Sequence, residues 1–165
     1  MNDFVIRTAS RSDAEGVAAV LQELVAAGKR SKSSDVDFAA SHYITHPDQI
    51  VCTVALDAGS RVLGFQSLKR AVGGNPYGAP VGWGVIGTHI RPSAARRGIG
   101  RALFQNTLTV ARASGIPAID ATISASNAEG LAYYDAIGFV DYRQHGGAVS
   151  KAFAVSNQPR GCAAG

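Results

Sequence analysis

Arg96-Arg97-Gly98-Ile99-Gly100-Arg101-Ala102 joins a strand-like run, Val85-Ile86-Gly87-Thr88-His89-Ile90, to a helical one. The upstream run closes at Arg91-Pro92. Downstream, Leu103, Phe104, Leu108, Val110 and Ala111 recur at helical spacing as far as Ser114-Gly115. A helix mouth offers backbone N–H groups without intrahelical acceptors, together with the positive end of the helix dipole. Gly98 and Gly100 let the backbone come close to an anion, and the arginines add charge, so the stretch reads as a receptor for phosphate oxygens. A tight loop with solvated arginines would carry the same letters. Two familiar phosphate motifs are excluded. A P-loop needs Lys and Ser/Thr after its last glycine, where Arg101-Ala102 stand, and a dinucleotide fingerprint needs a third glycine and a later acid.

A second constellation lies downstream: Asn127, Gly130, Tyr134, Gly138 and Phe139, with Tyr134 seven residues after Asn127 and Gly138 four after Tyr134. Together the two segments resemble the GNAT superfamily of acyl-CoA-dependent N-acyltransferases. The first is similar to its pyrophosphate loop and the second to its Asn…Tyr…Gly-Phe signature. The resemblance runs more weakly from Phe4 to about Val155. It implies a single α/β domain over residues 1–155: a mostly antiparallel sheet of six to seven strands, one splayed parallel pair, and helices on both faces. Acetyl-CoA is then the co-substrate, wedged between the fourth and fifth strands, and the acceptor is a primary amine of a small molecule or amino acid. A protein N-terminus or lysine as acceptor, and a non-catalytic acyl-CoA sensor, stay open as rivals.

By the same resemblance, Tyr134 is the catalytic candidate, its phenol donating a proton to the departing thiolate. The rival reading is a core aromatic on a helix, and Tyr133, about 100° round that helix, reads as packing. The resemblance assigns His89, Ile90, Arg96, Arg97, Gly98, Ile99, Gly100, Arg101, Ala102 and Asn127 to coenzyme A, with a backbone N–H near His89 or Ile90 polarising the carbonyl. Asn127 could equally cap a helix. Ala95 replaces the family's usual Gln or Arg, and Arg96 occupies a place often held by Gly. Gly84 stands where several branches carry a glutamate base, so the base is unassigned, with His89 a minority candidate. No metal is expected.

Bulk properties agree with this class. The 165 residues suffice for one core, and 46% hydrophobic with 17% charged residues is ordinary for a globular chain. No apolar run approaches the roughly 20 residues of a membrane span. Sixteen basic against twelve acidic residues give +4. The basic residues form no stripe with interleaved aromatics, so nucleic acid is not the expected partner. Arg91, Arg96, Arg97 and Arg101 cluster in sequence near the phosphate loop, which an anionic ligand explains. Cys52 and Cys162 are too unlike in setting for a structural disulfide, and Met1-Asn2-Asp3-Phe4 lacks signal-peptide character, so the expected location is the cytoplasm. A homodimer is compatible with the resemblance, although no interface is legible.

Periodicity supplies the elements. Phe4–Thr8 reads as a strand, and Ser12-x-x-Glu15 as a capping box before the apolar stripe Val17, Val20, Leu21, Leu24 and Val25, ending near Gly28. A short helix spans about Val36–Thr45. Ile50–Leu56 and Val62–Lys69 form a hairpin, and 73–80 is loop. Ala118–Ile123 is a buried strand, and Ser126-x-x-Glu129 caps a helix through Ile137. Val140–Gln144 and Ala148–Val155 are the last strands. The tail, 156–165, is expected to be disordered.

Overall fold

Strands β1 (Val5–Thr8), β2 (Gln49–Leu56), β3 (Val62–Arg70), β4 (Gly84–Ile90), β5 (Ala118–Ser124), β6 (Val140–His145) and β7 (Ala148–Ala154) form one sheet in the order β1-β2-β3-β4-β5-β7-β6. The computed structural model describes residues 3–155; the tail and Cys162 lie outside the described residues. Every neighbouring pair is antiparallel except β4–β5, which is parallel. The expected architecture is therefore present, with seven strands.

Strand alternation distributes the helices. On β2, Cys52, Val54 and Leu56 face α1 (Ala14–Ala26) and α2 (Val36–Ala39, continued by a π turn over Ala40–Ile44), meeting Val17, Val20, Leu21, Ala39 and Tyr43. Ala55 points the opposite way, toward Ile99 and Leu103 of α3 (Ile99–Ala113). Phe104 of α3 joins a third cluster with Tyr134 of α4 (Ala128–Ala136) and with Phe139. One face thus carries α1 and α2, the other α3 and α4. Val25 falls outside the α1 stripe and is 41% exposed.

Both expected capping boxes are displaced. Ahead of α1, Asp13 rather than Glu15 reaches back, accepting from the Ser10 N–H at 2.8 Å while Arg7 of β1 grips both its oxygens. Ahead of α4, the cap is Asn127, whose Oδ1 accepts from the Gly130 N–H at 3.0 Å; Glu129 instead pairs with Lys29 at 2.8 Å. Serines and acids are dense at both starts. The ion pairs decide which acid is available: Arg7 holds Asp13 at the first start, and Lys29 takes Glu129 from the second.

The parallel pair positions everything that follows. Strands β4 and β5 are in register only at Gly84–Ile119 and Val85–Asp120, after which they diverge. Beyond the bond that closes this last bridge, residues 87–90 of β4 are unpaired on that side, leaving a V-shaped opening through the sheet. Bonds from Ala71 N to Trp83 O and from Arg91 N to Leu63 O flank the β3–β4 ladder and fix its phase. The N–H groups of Val85, Gly87 and His89 turn toward β3, and those of Ile86, Thr88 and Ile90 toward the opening.

Candidate active site

Two cavities flank β4. The first, about 220 Å³, is lined by Ile90, Arg96, Gly98, Ile99, Gly100, Arg101 and Tyr133 among others, on the α3/α4 face. Gly98 is the N-cap of α3 at φ 81°, a left-handed conformation that glycine adopts without steric cost, and nothing lies within 4 Å of where its Cβ would be. The first-turn amides of Ile99, Gly100 and Arg101 have no intrahelical acceptor. Gly100 answers a different need. A Cβ there would lie 2.6 Å from Cε1 of Tyr133, whose hydroxyl donates to the Gly100 carbonyl at 2.8 Å. The pairing of Gly100 with Tyr133 is a lock between α3 and α4, so Tyr133 does more than pack.

Arginine placement departs from expectation. Arg91 is buried, its Nε donating to the Val62 carbonyl at 2.6 Å and its Nη1 to Glu23 at 3.3 Å; it faces α1 and adds nothing to the phosphate loop. Glu23 also accepts from the Ser93 N–H and hydroxyl, tying the loop after β4 to α1. Arg97 pairs with Asp3 at 2.8 Å. Arg96 and Arg101 are the cations in the cleft wall. Arg96 has φ 64°, left-handed for a residue with a side chain. That conformation costs roughly 1–2 kcal/mol, which accounts for a site where glycine would be at ease. We expect Arg96→Gly to raise the urea midpoint by about 0.5–1 kcal/mol equivalent at unchanged m-value, less than the full strain because glycine gains entropy when unfolded. A lower midpoint would show that the arginine side chain contributes more than its backbone strain removes.

The second cavity, about 160 Å³, lies on the α1/α2 face and is lined by Arg30, Lys32, His42, Tyr43, Lys69, Tyr77, Gly87, His89 and Thr122, with Ser67, Val85 and Ile86. His89 stacks on Phe65 with ring centres 4.9 Å apart and lies 5.2 Å from the Tyr43 ring. Burial, then the charge of Arg30, pushes its pKa down to about 3, and burial likewise pushes His42 to about 4. Both imidazoles are neutral near pH 7, and His89 is too weak a base to hold an ammonium proton there. His89 thus stands apart from the other residues assigned to coenzyme A: alternation turns its side chain to the second cavity and its N–H to β3, whereas Ile90 lines the first cleft.

Tyr134 lines neither cavity; it is buried on the α3/α4 face beside Tyr133, its hydroxyl 2.8 Å from Thr88 Oγ1 on β4. Gln66, fully buried on β3, donates from one Nε2 to Thr88 Oγ1 at 2.9 Å and to the Tyr133 hydroxyl at 3.0 Å. A polar chain therefore runs from the Gly100 carbonyl through Tyr133, Gln66 and Thr88 to Tyr134. Burial, reinforced by Tyr133, holds the Tyr134 phenol well above its usual pKa, so it stays protonated and can donate.

Gly84 is no vacancy for a lost base. Its Cβ would meet Leu68 Cδ1 at 2.7 Å, inside the core, and the β4 positions that strand alternation turns toward the second cavity are 85, 87 and 89. A carboxylate adjoining that cavity through Thr122 is Asp120, paired with Val85 where the strands part. It accepts from Thr122 Oγ1 at 2.8 Å and from the Tyr142 hydroxyl, and burial raises its pKa. Neither Asp120 nor the second cavity has a motif, because the lining residues come from six separate segments. Among the described residues no cluster of His, Cys, Asp or Glu suits a metal, and no helix is long and apolar enough to cross a membrane.

Comparison with known proteins agrees with this geometry. Residues 18–139 match the family model described as the acetyltransferase (GNAT) family. A GCN5-related N-acetyltransferase from Kribbella flavida superposes with a TM-score of 0.73 at 22% identity, covering 92% of this chain and 98% of that one. The yncA acetyltransferase of Salmonella typhimurium, solved with acetyl-CoA, gives 0.70 at 19%, covering 93% and 95%. A ribosomal-protein-alanine N-acetyltransferase from Brucella melitensis gives 0.70 at 19%, covering 91% and 99%. No curated protein sequence matches significantly. With the matched span running from α1 through the end of α4 into Phe139, the chain belongs to the GNAT acetyltransferase family.

Proposed function

We propose that the protein transfers an acetyl group from acetyl-CoA to the primary amine of a small molecule, by direct attack with both substrates bound. The observation that carries this reading is the opening between β4 and β5, with a helix mouth on one side, a separate cavity on the other and a buried phenol hydrogen-bonded to β4 at Thr88. Acetyl-CoA is the co-substrate of the family, and the first cleft suits it. The amides of Ile99, Gly100 and Arg101, the side chains of Arg96 and Arg101, and the open approach at Gly98 would hold the pyrophosphate. The Ile90 and Thr88 N–H groups, released from the ladder, would take the amide and thioester carbonyls of the extended arm. Asn127 keeps its side-chain NH₂ for the same arm while its oxygen caps α4. What the thioester supplies is an activated carbonyl.

The chain's own residues do the rest. The acceptor nitrogen reaches the carbonyl from the second cavity as the free base. As the new N–C bond forms and the C–S bond breaks, Tyr134 donates its proton to sulfur, steered by Thr88. The ammonium proton leaves into the cavity, where Thr122 leads to Asp120. A volume of about 160 Å³, below the roughly 300–1,000 Å³ of drug-sized sites, favours a compact acceptor over a peptide segment. The Brucella relative, named for a ribosomal-protein alanine, keeps the protein-acceptor reading as the alternative.

Acetyl-CoA at a hundred times its Kd should stabilise the fold by about 2.7 kcal/mol, or roughly 5–10 °C in Tm. Thiol release from acetyl-CoA should then follow addition of small primary amines. No melting shift at millimolar acetyl-CoA, or release only with peptides, would defeat the proposal.

A further inference from the structure

We infer that the acceptor amine carries a carboxylate, held in the second cavity by Arg30 and Lys69 with Lys32 at its rim. This rests on the acyl-transfer reading above and specifies its acceptor. The cavity wall contains three cationic side chains and no carboxylate. None of the three is in an ion pair among the described residues. Arg30 Cζ and Lys69 Nζ both lie against the Tyr43 ring, 5.9 and 5.8 Å from its centre, so the same ring of the wall is bordered by two cations. Asp48, whose charge acts on Lys69, lies outside the wall. Elsewhere the protein pairs its buried or half-buried cations closely, as Arg91 with Glu23 and Lys151 with Asp135 and Asp141. An unpaired cluster in a concave wall calls for an anion.

His89 points the same way. Arg30 Nη1 lies 3.4 Å from His89 Nε2 and can only donate, so Nε2 accepts and Nδ1 carries the proton. That Nδ1 is buried and has no partner in the protein. His89 is thus a neutral ring in the cavity wall that adds no charge of its own and leaves one buried N–H donor without an acceptor in the protein. A purely cationic acceptor such as a polyamine would meet like charge here, whereas an amino acid brings the matching sign on the group that does not react.

The test uses product mimics, so that it does not depend on turnover. The coenzyme A-saturated full-length protein is titrated calorimetrically with N-acetylglycine, N-acetylalanine, N-acetylmethionine and N-acetylphenylalanine, and with the carboxamide of each. At least one acid should bind tenfold or more tightly than its amide. Lys69→Met and Arg30→Met should each shrink that ratio to threefold or less while the Tm rise with coenzyme A persists, which shows the variants folded. If Arg30→Met fails to fold, the Lys69→Met ratio decides. Amides binding as well as acids, neither class binding at 10 mM, or an undiminished ratio in Lys69→Met overturns the inference. Loss of thiol release with every amine, alongside a retained preference for acids, would instead defeat the catalytic reading and leave the carboxylate subsite standing.

Discussion

Replacing Tyr134 by Phe should lower kcat about a hundredfold or more and leave the affinity for acetyl-CoA nearly unchanged. The magnitude follows from general acid catalysis, for which one positioned proton is worth roughly 10²–10⁴ in rate. The hydroxyl is the only group removed. The ring contacts to Tyr133 and Phe139, at 4.8 and 5.1 Å between centres, survive in phenylalanine, so folding should suffer little. Thr88 loses one partner but keeps Gln66. Because burial holds the phenol's pKa above its ordinary range, wild-type activity should show no alkaline fall attributable to Tyr134 up to about pH 10. Initial rates with a saturating amine, beside melting curves with coenzyme A, measure both halves. Equal kcat in the two proteins would remove the phenol from the reaction.

Gly100→Ala should have the second largest effect, and on binding rather than rate. The added methyl would sit 2.6 Å from the Tyr133 ring, closer than real contacts allow, and the ring is held by its hydroxyl bonds to Gly100 and Gln66. Either α4 moves away from α3 or Tyr133 swings into the cleft. We expect about 1–3 kcal/mol of destabilisation from overpacking and at least a tenfold weaker grip on coenzyme A, read by urea titration and calorimetry. Tyr133→Ala in the Gly100→Ala background should restore part of the stability, since it removes the atoms that clash. An unaffected Kd would mean that the first cleft does not hold the nucleotide.

Legibility in the sequence followed locality. The loop at Arg96–Ala102 and the run from Asn127 to Phe139 are contiguous, and their glycines report backbone geometry that the fold then displays at Gly98 and Gly138. The element order and the splayed pair came with them. What escaped depends on contacts made outside each motif's own stretch, most of them far along the chain. Arg91 sits in sequence beside the phosphate loop, yet Glu23, 68 residues away, draws it to the opposite face. Asp13 wins the helix start because Arg7 holds it. Tyr133 resembled packing because nothing in its own segment announces that Gly100 lacks a Cβ for its sake. That the second helix and the loop at 73–80 would shape an acceptor site was legible, and His42, Tyr43 and Tyr77 line the second cavity; its charged lining was not, since Arg30, His42, Lys69, His89 and Thr122 share no spacing.

That contrast has a consequence. The donor wall is written in two short contiguous blocks on α3 and α4, while the acceptor wall draws on the segment after α1, on α2 and on the outer sides of β3 and β4. The sheet itself is the partition. Selectivity can drift on one side by changes at positions 30, 32, 42 or 69 while the nucleotide grip on the other keeps its register, so this scaffold is modular across its thickness rather than along its length.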